Sequence, residues 1–183
     1  MMSNKTTQSE KNLYLVGFMG VGKSHFGRLV ASELDFQFLD SDHEISKNEK
    51  RSIPEIFEKY GEPYFRKLEH SFIESGHPNS GCVVACGGGL AVQGGMMDVL
   101  KSKGVVVALF ASKEEILERI LKNKNRPLLN VENPKEKIEN LLEERSPIYL
   151  ESDVSIATQG RNIQEVSNGI IRSYKKILSR KRA

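Results

Sequence analysis

The chain has 183 residues, 38% of them hydrophobic and 28% charged. That length suits one domain, the composition excludes an intrinsically disordered chain, and no apolar run approaches the roughly 18 residues of a membrane span. The formal net charge of +3 is unevenly placed: residues 172–183 hold six Lys or Arg and no acid, leaving 21 basic against 24 acidic residues in the remainder. A nucleic-acid binder carries a basic face across its fold. A mildly acidic body with a basic end does not, so no nucleic-acid partner is expected. The end reads as a solvated helix terminus that complements its own dipole, and removing Lys175–Ala183 is expected to leave activity nearly intact. Cys82 and Cys86 lie in one apolar stretch. They are too few for a disulfide framework, lack a zinc signature and read as buried thiols of a reducing compartment. With a polar, non-secretory leader over residues 1–11, they point to a cytoplasmic protein.

In chain order, Asn12–Val16 reads as a buried strand that runs straight into glycine. Lys23–Leu34 has helical spacing at Phe26, Leu29, Val30 and Leu34. Gln37–Leu39 is a short strand ending in acids. Ser52–Tyr60 and Glu62–Ser75 read as two helices, with Ser52 as N-cap and Pro54 in the first turn. Cys82–Ala85 is a third strand, entering Gly87-Gly88-Gly89, and Gly94–Lys101 a short helix. Val105–Phe110 is the fourth strand, followed by a helix over Lys113–Leu121 with Ile116, Leu117 and Ile120 on one face. Asn123–Pro134, polar and proline-bearing, is a loop. Lys135–Arg145 is a helix, Val154–Ala157 the fifth strand and Ile163–Leu178 the last helix. Strands alternating with helices imply an α/β fold with a parallel sheet, and their near-continuous apolar runs imply that both faces are covered. Ligands of such sheets bind at the carboxyl ends of the strands. Three of those ends are chemically unusual: Gly17 onward, Asp40 onward and Gly87 onward.

Gly17-Phe18-Met19-Gly20-Val21-Gly22-Lys23-Ser24 fits G-x-x-x-x-G-K-[ST], between a strand and a helix as the motif requires. Its glycines let backbone N–H groups crowd around phosphate oxygens, and the helix N-terminus adds partial positive charge. Lys23 would reach the β- and γ-phosphates and the Ser24 hydroxyl a Mg²⁺ ion. A nucleoside triphosphate is therefore the expected ligand. What happens to it depends on residues further on. Asn123-Lys124-Asn125-Arg126 lacks the Asp of a guanine-selecting N-K-x-D. The third strand ends Ala85-Cys86-Gly87 without the acids of a motor-type ATPase. The acids follow the second strand instead, as Asp40-Ser41-Asp42. If the chain stays extended there, Asp40 and Asp42 face the same way, one supporting a metal shell and the other serving the proton of an attacking hydroxyl.

An acceptor needs groups that hold it. Arg66, on the second helix after Asp42, and Arg145, at the end of a later helix, each fit an ordinary role as well: a solvated face and a dipole partner. Together with Gly87-Gly88-Gly89 they make a pocket for an anionic, hydroxyl-bearing small molecule, because Arg meets a carboxylate bidentately. Arg126, in a loop between two helices, is placed to close over the phosphates as part of a lid. Two rivals stay open. One is another small-molecule P-loop kinase, for gluconate or a nucleoside monophosphate. The other is a nucleotide-dependent binding protein without turnover.

The phosphate loop, LDSD, FRKLE, CGGGL, NRPLL and ERSPIY, in this order and spacing, resemble the motifs of the shikimate kinase family over roughly residues 12–175. The resemblance implies the three-layer P-loop fold of nucleoside-monophosphate-kinase-like proteins, with a five-stranded parallel sheet in the order 2-3-1-4-5 and helices on both faces. It implies a single domain over 1–183, with a helical acceptor insertion at about 44–76 and a lid at 123–134. The implied reaction moves the ATP γ-phosphoryl group to the 3-hydroxyl of shikimate, giving 3-phosphoshikimate and ADP in aromatic amino-acid biosynthesis. By position, Ser24 and Asp40 match the Mg²⁺-associated pair. Gly20, Val21, Gly22, Lys23 and His25 match the ATP loop. Asp42 matches the carboxylate that contacts the acceptor hydroxyls and serves as base. Arg66 and Arg145 match the clamp on the acceptor carboxylate, with Glu69 orienting them. Gly87, Gly88 and Gly89 match backbone contacts to the acceptor, and Ile53, Phe57 and Phe65 its apolar walls. Arg126 matches the lid arginine and Arg119 the side chain on adenine, with Arg161 and Ile163 on its far side. One Mg²⁺ with ATP, no membrane and a monomeric chain complete the expectation. The pattern departs from the family at Ala85, where Ser or Thr is common, and at Ile163, where proline is.

Overall fold

The computed structural model describes residues 11–121 and 133–181. Its sheet consists of β1 (Asn12–Val16), β2 (Gln37–Asp40), β3 (Cys82–Ala85), β4 (Gly104–Phe110) and β5 (Val154–Ala157). All neighbours are parallel and the order is β2-β3-β1-β4-β5. Every residue of β1 and β3, and all of β4 but Phe110, is buried. Both faces of the sheet centre are thus covered, as uninterrupted runs such as Val105-Val106-Val107 require. The carboxyl ends of β1, β2 and β3 lie side by side, with Asp40 opposite Ala85 and Leu15 opposite Ala85. The phosphate loop, the acidic pair and the triple glycine therefore emerge on one edge. Cys82 and Cys86 are both free and buried.

The helices are α1 (Lys23–Leu34), α2 (Ser41–Glu49), α3 (Ile53–Ser75), α4 (Met96–Lys103), α5 (Lys113–Leu121), α6 (Pro134–Tyr149) and α7 (Ile163–Arg180). α1 and α7 pack on each other and on the sheet, and α2 pairs with α3. Five helices start on a side-chain cap: Asp40 for α2, Ser52 for α3, Ser112 for α5, Asn133 for α6 and Asn162 for α7. Ser52 and Asn162 form full capping boxes with Glu55 and Glu165. α1 has none. Its N-cap, Gly22, is left-handed (φ 97°), no side chain caps it and no acid lies in its first turn. The N–H groups that a cap would occupy are left to another acceptor.

Three expectations need correction. The chain is not extended through Asp42: it turns into α2 at Ser41, because Asp40 caps that helix by accepting from His43 N at 3.3 Å. α6 does not stop at Arg145 but continues through Pro147 to Tyr149, with Ser146 Oγ donating to the Leu142 carbonyl at 2.6 Å in the affected turn. The C-terminal end is also not merely solvated. Tyr174 and Leu178 are buried, and Lys181 Nζ donates to Asp153 Oδ2 and to the Gly104 carbonyl, each at 2.9 Å. The two helices expected over Ser52–Tyr60 and Glu62–Ser75 are both present within α3, which is broken between them at Gly61, whose φ of 79° and ψ of 171° suit glycine alone. Of the lid expected at 123–134, residues 123–132, Arg126 among them, lie outside the described residues, as does the leader at 1–10, whereas Asn133 and Pro134 open α6.

Candidate active site

A cavity of about 250 Å³ lies over the phosphate loop, lined by Gly20, Gly22, Lys23, Ser24 and His25 from the loop and α1, by Asp40 and Asp42, and by Gly87 and Gly88. Lys23 Nζ folds back over the loop to donate to the Gly17 and Phe18 carbonyls at 2.8 and 2.9 Å. Val21 is buried beneath the loop. Ser24 Oγ donates to Asp40 Oδ2 at 2.5 Å, so hydroxyl and carboxylate already sit together. Asp42, the second residue of α2, faces the same cavity by a helical route instead of by strand alternation. Burial, with repulsion from Asp40, pushes its carboxyl above the ordinary range against the pull of Lys23 and Arg66. Its Oδ1 is buried and has no hydrogen-bond partner among the described residues.

A second cavity of about 440 Å³ adjoins the first and shares Met19, Asp42 and Gly88 with it. Ile53, Phe57 and Phe65 of α3 form its apolar wall, the two phenyl rings 4.9 Å apart. The side chains of Arg66, whose guanidinium carbon lies 5.7 Å from the Phe65 ring centroid, and of Arg145 line it as well. Arg66 Nη1 donates to Glu69 Oε2 at 2.6 Å, and Gln93 Nε2 donates to the same oxygen at 2.8 Å. Glu69 is only 1% exposed. Burial pushes its carboxyl up to about 7, although Arg66 and Gln93 both favour the ionised form. Arg145 Nε is buried without a partner among the described residues. Its Nη1 donates to the Gly88 carbonyl at 3.4 Å, and Tyr149, four residues along the same helix face, donates its hydroxyl to that carbonyl at 2.5 Å.

The three glycines are there for closeness. None of Gly87, Gly88 and Gly89 has a left-handed φ. A methyl group at Gly87 would collide with Asp42 Oδ1, and one at Gly89 would lie 2.5 Å from Arg66 Nη1. At Gly88 it would meet only Met19 N, at 3.5 Å. Gly87 N also donates to the Ser41 hydroxyl at 2.8 Å, fixing the turn to α2.

The structure thus brings together the loop residues, Asp40, Asp42, Arg66, Glu69, Arg145, the glycines and the apolar wall. Arg119 lies at the loop's rim, its Nη1 donating to the Gly20 carbonyl at 3.0 Å. Arg161 and Ile163 are exposed at the start of α7 and line neither cavity. Sequence reasoning gave no role to Ser41, Gln93 or Tyr149. Tyr149 was findable, since it stands at i+4 from Arg145 once the helix is allowed past Pro147. Gln93 carried no signal, because its contact with Glu69 depends on how the loop after Gly89 folds back.

The family model for shikimate kinase matches residues 19–175. A shikimate kinase of Thermodesulfovibrio yellowstonii is 44% identical over 167 residues, covering 91% of this chain and 96% of its own. One of Caldanaerobacter subterraneus is 43% identical over 170 residues, covering 93% and 99%. Among solved structures, shikimate kinase from Acinetobacter baumannii in complex with shikimate superimposes with a TM-score of 0.84 at 41% identity, covering 94% of this chain and 95% of that one. A match of this extent, on the fold and motifs described above, makes the chain a member of the shikimate kinase family.

Proposed function

We propose that the chain phosphorylates the 3-hydroxyl of shikimate with ATP, and that its two adjoining cavities divide the substrates between them. The observation that carries this reading is Asp42, which lies where the phosphate cavity and the arginine-lined cavity meet. ATP phosphates bind the loop at Gly17–Ser24, on the uncapped N-terminus of α1 and Lys23. Arg66 and Arg145 take the acceptor carboxylate, and Ile53, Phe57 and Phe65 pack on the ring. These contacts aim one acceptor hydroxyl at the γ-phosphorus. Asp42 accepts its proton, and burial lifts its carboxyl toward the working pH, as a general base needs. Lys23 balances charge on the transferring group. In this reading Glu44–Gly76 is the acceptor-binding insertion and Arg126 belongs to the lid that excludes water.

The adjacent hydroxyl and carboxylate of Ser24 and Asp40 suit a hard cation that prefers oxygen. They would hold Mg²⁺, which when bound neutralises charge on the phosphate oxygens. Ala85, buried opposite Asp40, adds no oxygen.

ADP release from Mg²⁺-ATP, measured with shikimate, quinate, gluconate and AMP in turn, tests the reading. A strong rise with shikimate is expected. Turnover of gluconate or AMP in its place refutes it, and ATP binding with no turnover on any acceptor favours a binding protein.

A further inference from the structure

Arg66 offers two edges to a carboxylate, and both are taken by the protein itself. Nη1 donates to Glu69 Oε2 at 2.6 Å, whereas Nε and Nη2 both donate to Glu62 Oε1, at 3.1 and 2.6 Å. The Nε/Nη2 edge is one on which guanidinium receives a carboxylate through two parallel hydrogen bonds. The two glutamates differ in how firmly they are held. Glu69 is 1% exposed and held at the same oxygen by Gln93. Glu62 is 60% exposed, pairs at i,i+4 on the solvent side, and lines the acceptor cavity just past the break at Gly61. Exposed pairs of that kind are weak and exchange readily. Across the same cavity, Arg145 Nε is buried without a partner among the described residues. An anion entering between the two guanidinium groups therefore meets one unsatisfied donor and one edge already occupied.

We propose that Glu62 is a displaceable internal carboxylate, which holds the Nε/Nη2 edge of Arg66 until the carboxylate of the acceptor replaces it. The inference rests on the shikimate kinase reading for the identity of that acceptor. Glu69 keeps Arg66 in place while Glu62 leaves, so displacement needs no movement of the clamp. Glu62 also selects among anions. A small carboxylate that touches Arg66 alone gains nothing over Glu62, whereas a ligand that bridges Arg66 and Arg145 satisfies both. Glu62 acts through Arg66 and has no part in phosphoryl transfer, which makes it a positioning residue.

Glu62→Gln tests this against Glu58→Gln, which removes the same charge from an exposed site on the same helix. For Glu62→Gln, KM for shikimate falls two- to fivefold while KM for ATP stays, the change being read in KM and not in kcat. The methyl ester of shikimate, which has no carboxylate to exchange, shows no such gain. Acetate, measured by thermal shift and as a competitor of shikimate, binds the Glu62→Gln protein more tightly than the wild type. A KM for shikimate that is unchanged or raised, an equal gain for the ester, or an equal fall in Glu58→Gln overturns the proposal. If the wild type does not use shikimate at all, the functional reading falls. The acetate comparison still decides on Glu62, because equal acetate binding by wild type and variant refutes displacement.

Discussion

Gly89→Ala is the sharpest probe of how the acceptor clamp is built. An alanine methyl there would lie 2.5 Å from Nη1, 2.7 Å from Nη2 and 2.8 Å from Cζ of Arg66. Ordinary contacts begin near about 3.5 Å, so the guanidinium must retreat by about 1 Å. It is not free to do so at no cost, because Nη1 is bound to Glu69 at 2.6 Å and Glu69 is held in turn by Gln93. A retreat of that size stretches the bond beyond hydrogen-bonding distance. A charge-assisted bond of this kind contributes roughly 1.5–3 kcal/mol. Lost from the bound state, that is about a 10- to 100-fold rise in KM for shikimate. KM for ATP should move less than about twofold, since the phosphate cavity does not include Arg66. The stability loss should be smaller, because the Arg66 side chain is 24% exposed and water screens part of the change. Initial rates from coupled ADP release, varying each substrate in turn, give the KM values, and thermal melting confirms the fold. A folded Gly89→Ala protein with a wild-type KM for shikimate would refute the close-approach account of the glycines. The neighbouring positions supply the contrast. Gly87→Ala should strike kcat through Asp42, and Gly88→Ala should have the smallest effect of the three.

Asp42→Asn should lower kcat by roughly 10²–10⁴ with ATP affinity retained; near-normal turnover would remove Asp42 as base. Deleting Lys175–Ala183 removes buried Leu178 and the Lys181–Asp153 pair. It should cost roughly 2–5 kcal/mol and lower Tm by roughly 5–15 °C, so an unchanged melting curve would restore the solvated-tail view. Glu69 sets an unusual pH dependence. Its folded carboxyl titrates at about 7 against an ordinary value of 4.5. The folded protein therefore keeps a proton that the unfolded chain releases, a contribution to stability that is complete below about pH 4.5 and lost as pH rises to about 7. Glu69→Gln should flatten that slope in urea melts taken across the window, and identical slopes would show that Glu69 does not titrate there.

Strand positions were legible because an α/β sheet covered on both faces needs runs such as NLYLV and GVVVALF, which few other structures tolerate. The phosphate loop was legible because its mechanism fixes four of eight positions, Gly17, Gly22, Lys23 and Ser24. The pairing of Asp40 with Asp42 was foreseen through the wrong geometry: a cap at Asp40 starts a helix, and the first helical turn, not an extended strand, aims Asp42 into the cavity. The helix expected to end at Arg145 instead runs on past Pro147, carried by Ser146 and the packing of Tyr149. The triple glycine was legible as a place of close backbone approach, but not which side chains come close, Asp42 from α2 and Arg66 from α3. Such requirements join residues distant in sequence, and no local pattern encodes them.

The break at Gly61 partly separates two kinds of recognition. Ile53 and Phe57, which fit the outline of a ring, lie before it, and Glu62, Arg66 and Glu69, which answer to charge, lie after it beside the third apolar residue, Phe65. All of the charge and only part of the shape are thus written on the second of two pieces of chain joined at a residue whose backbone only glycine adopts readily. Drift in the first piece alters which outlines fit, and drift in the second alters whether an anion is demanded. A lineage carrying this helix can explore new acceptors one property at a time, with the phosphate-handling half of the molecule left as it is.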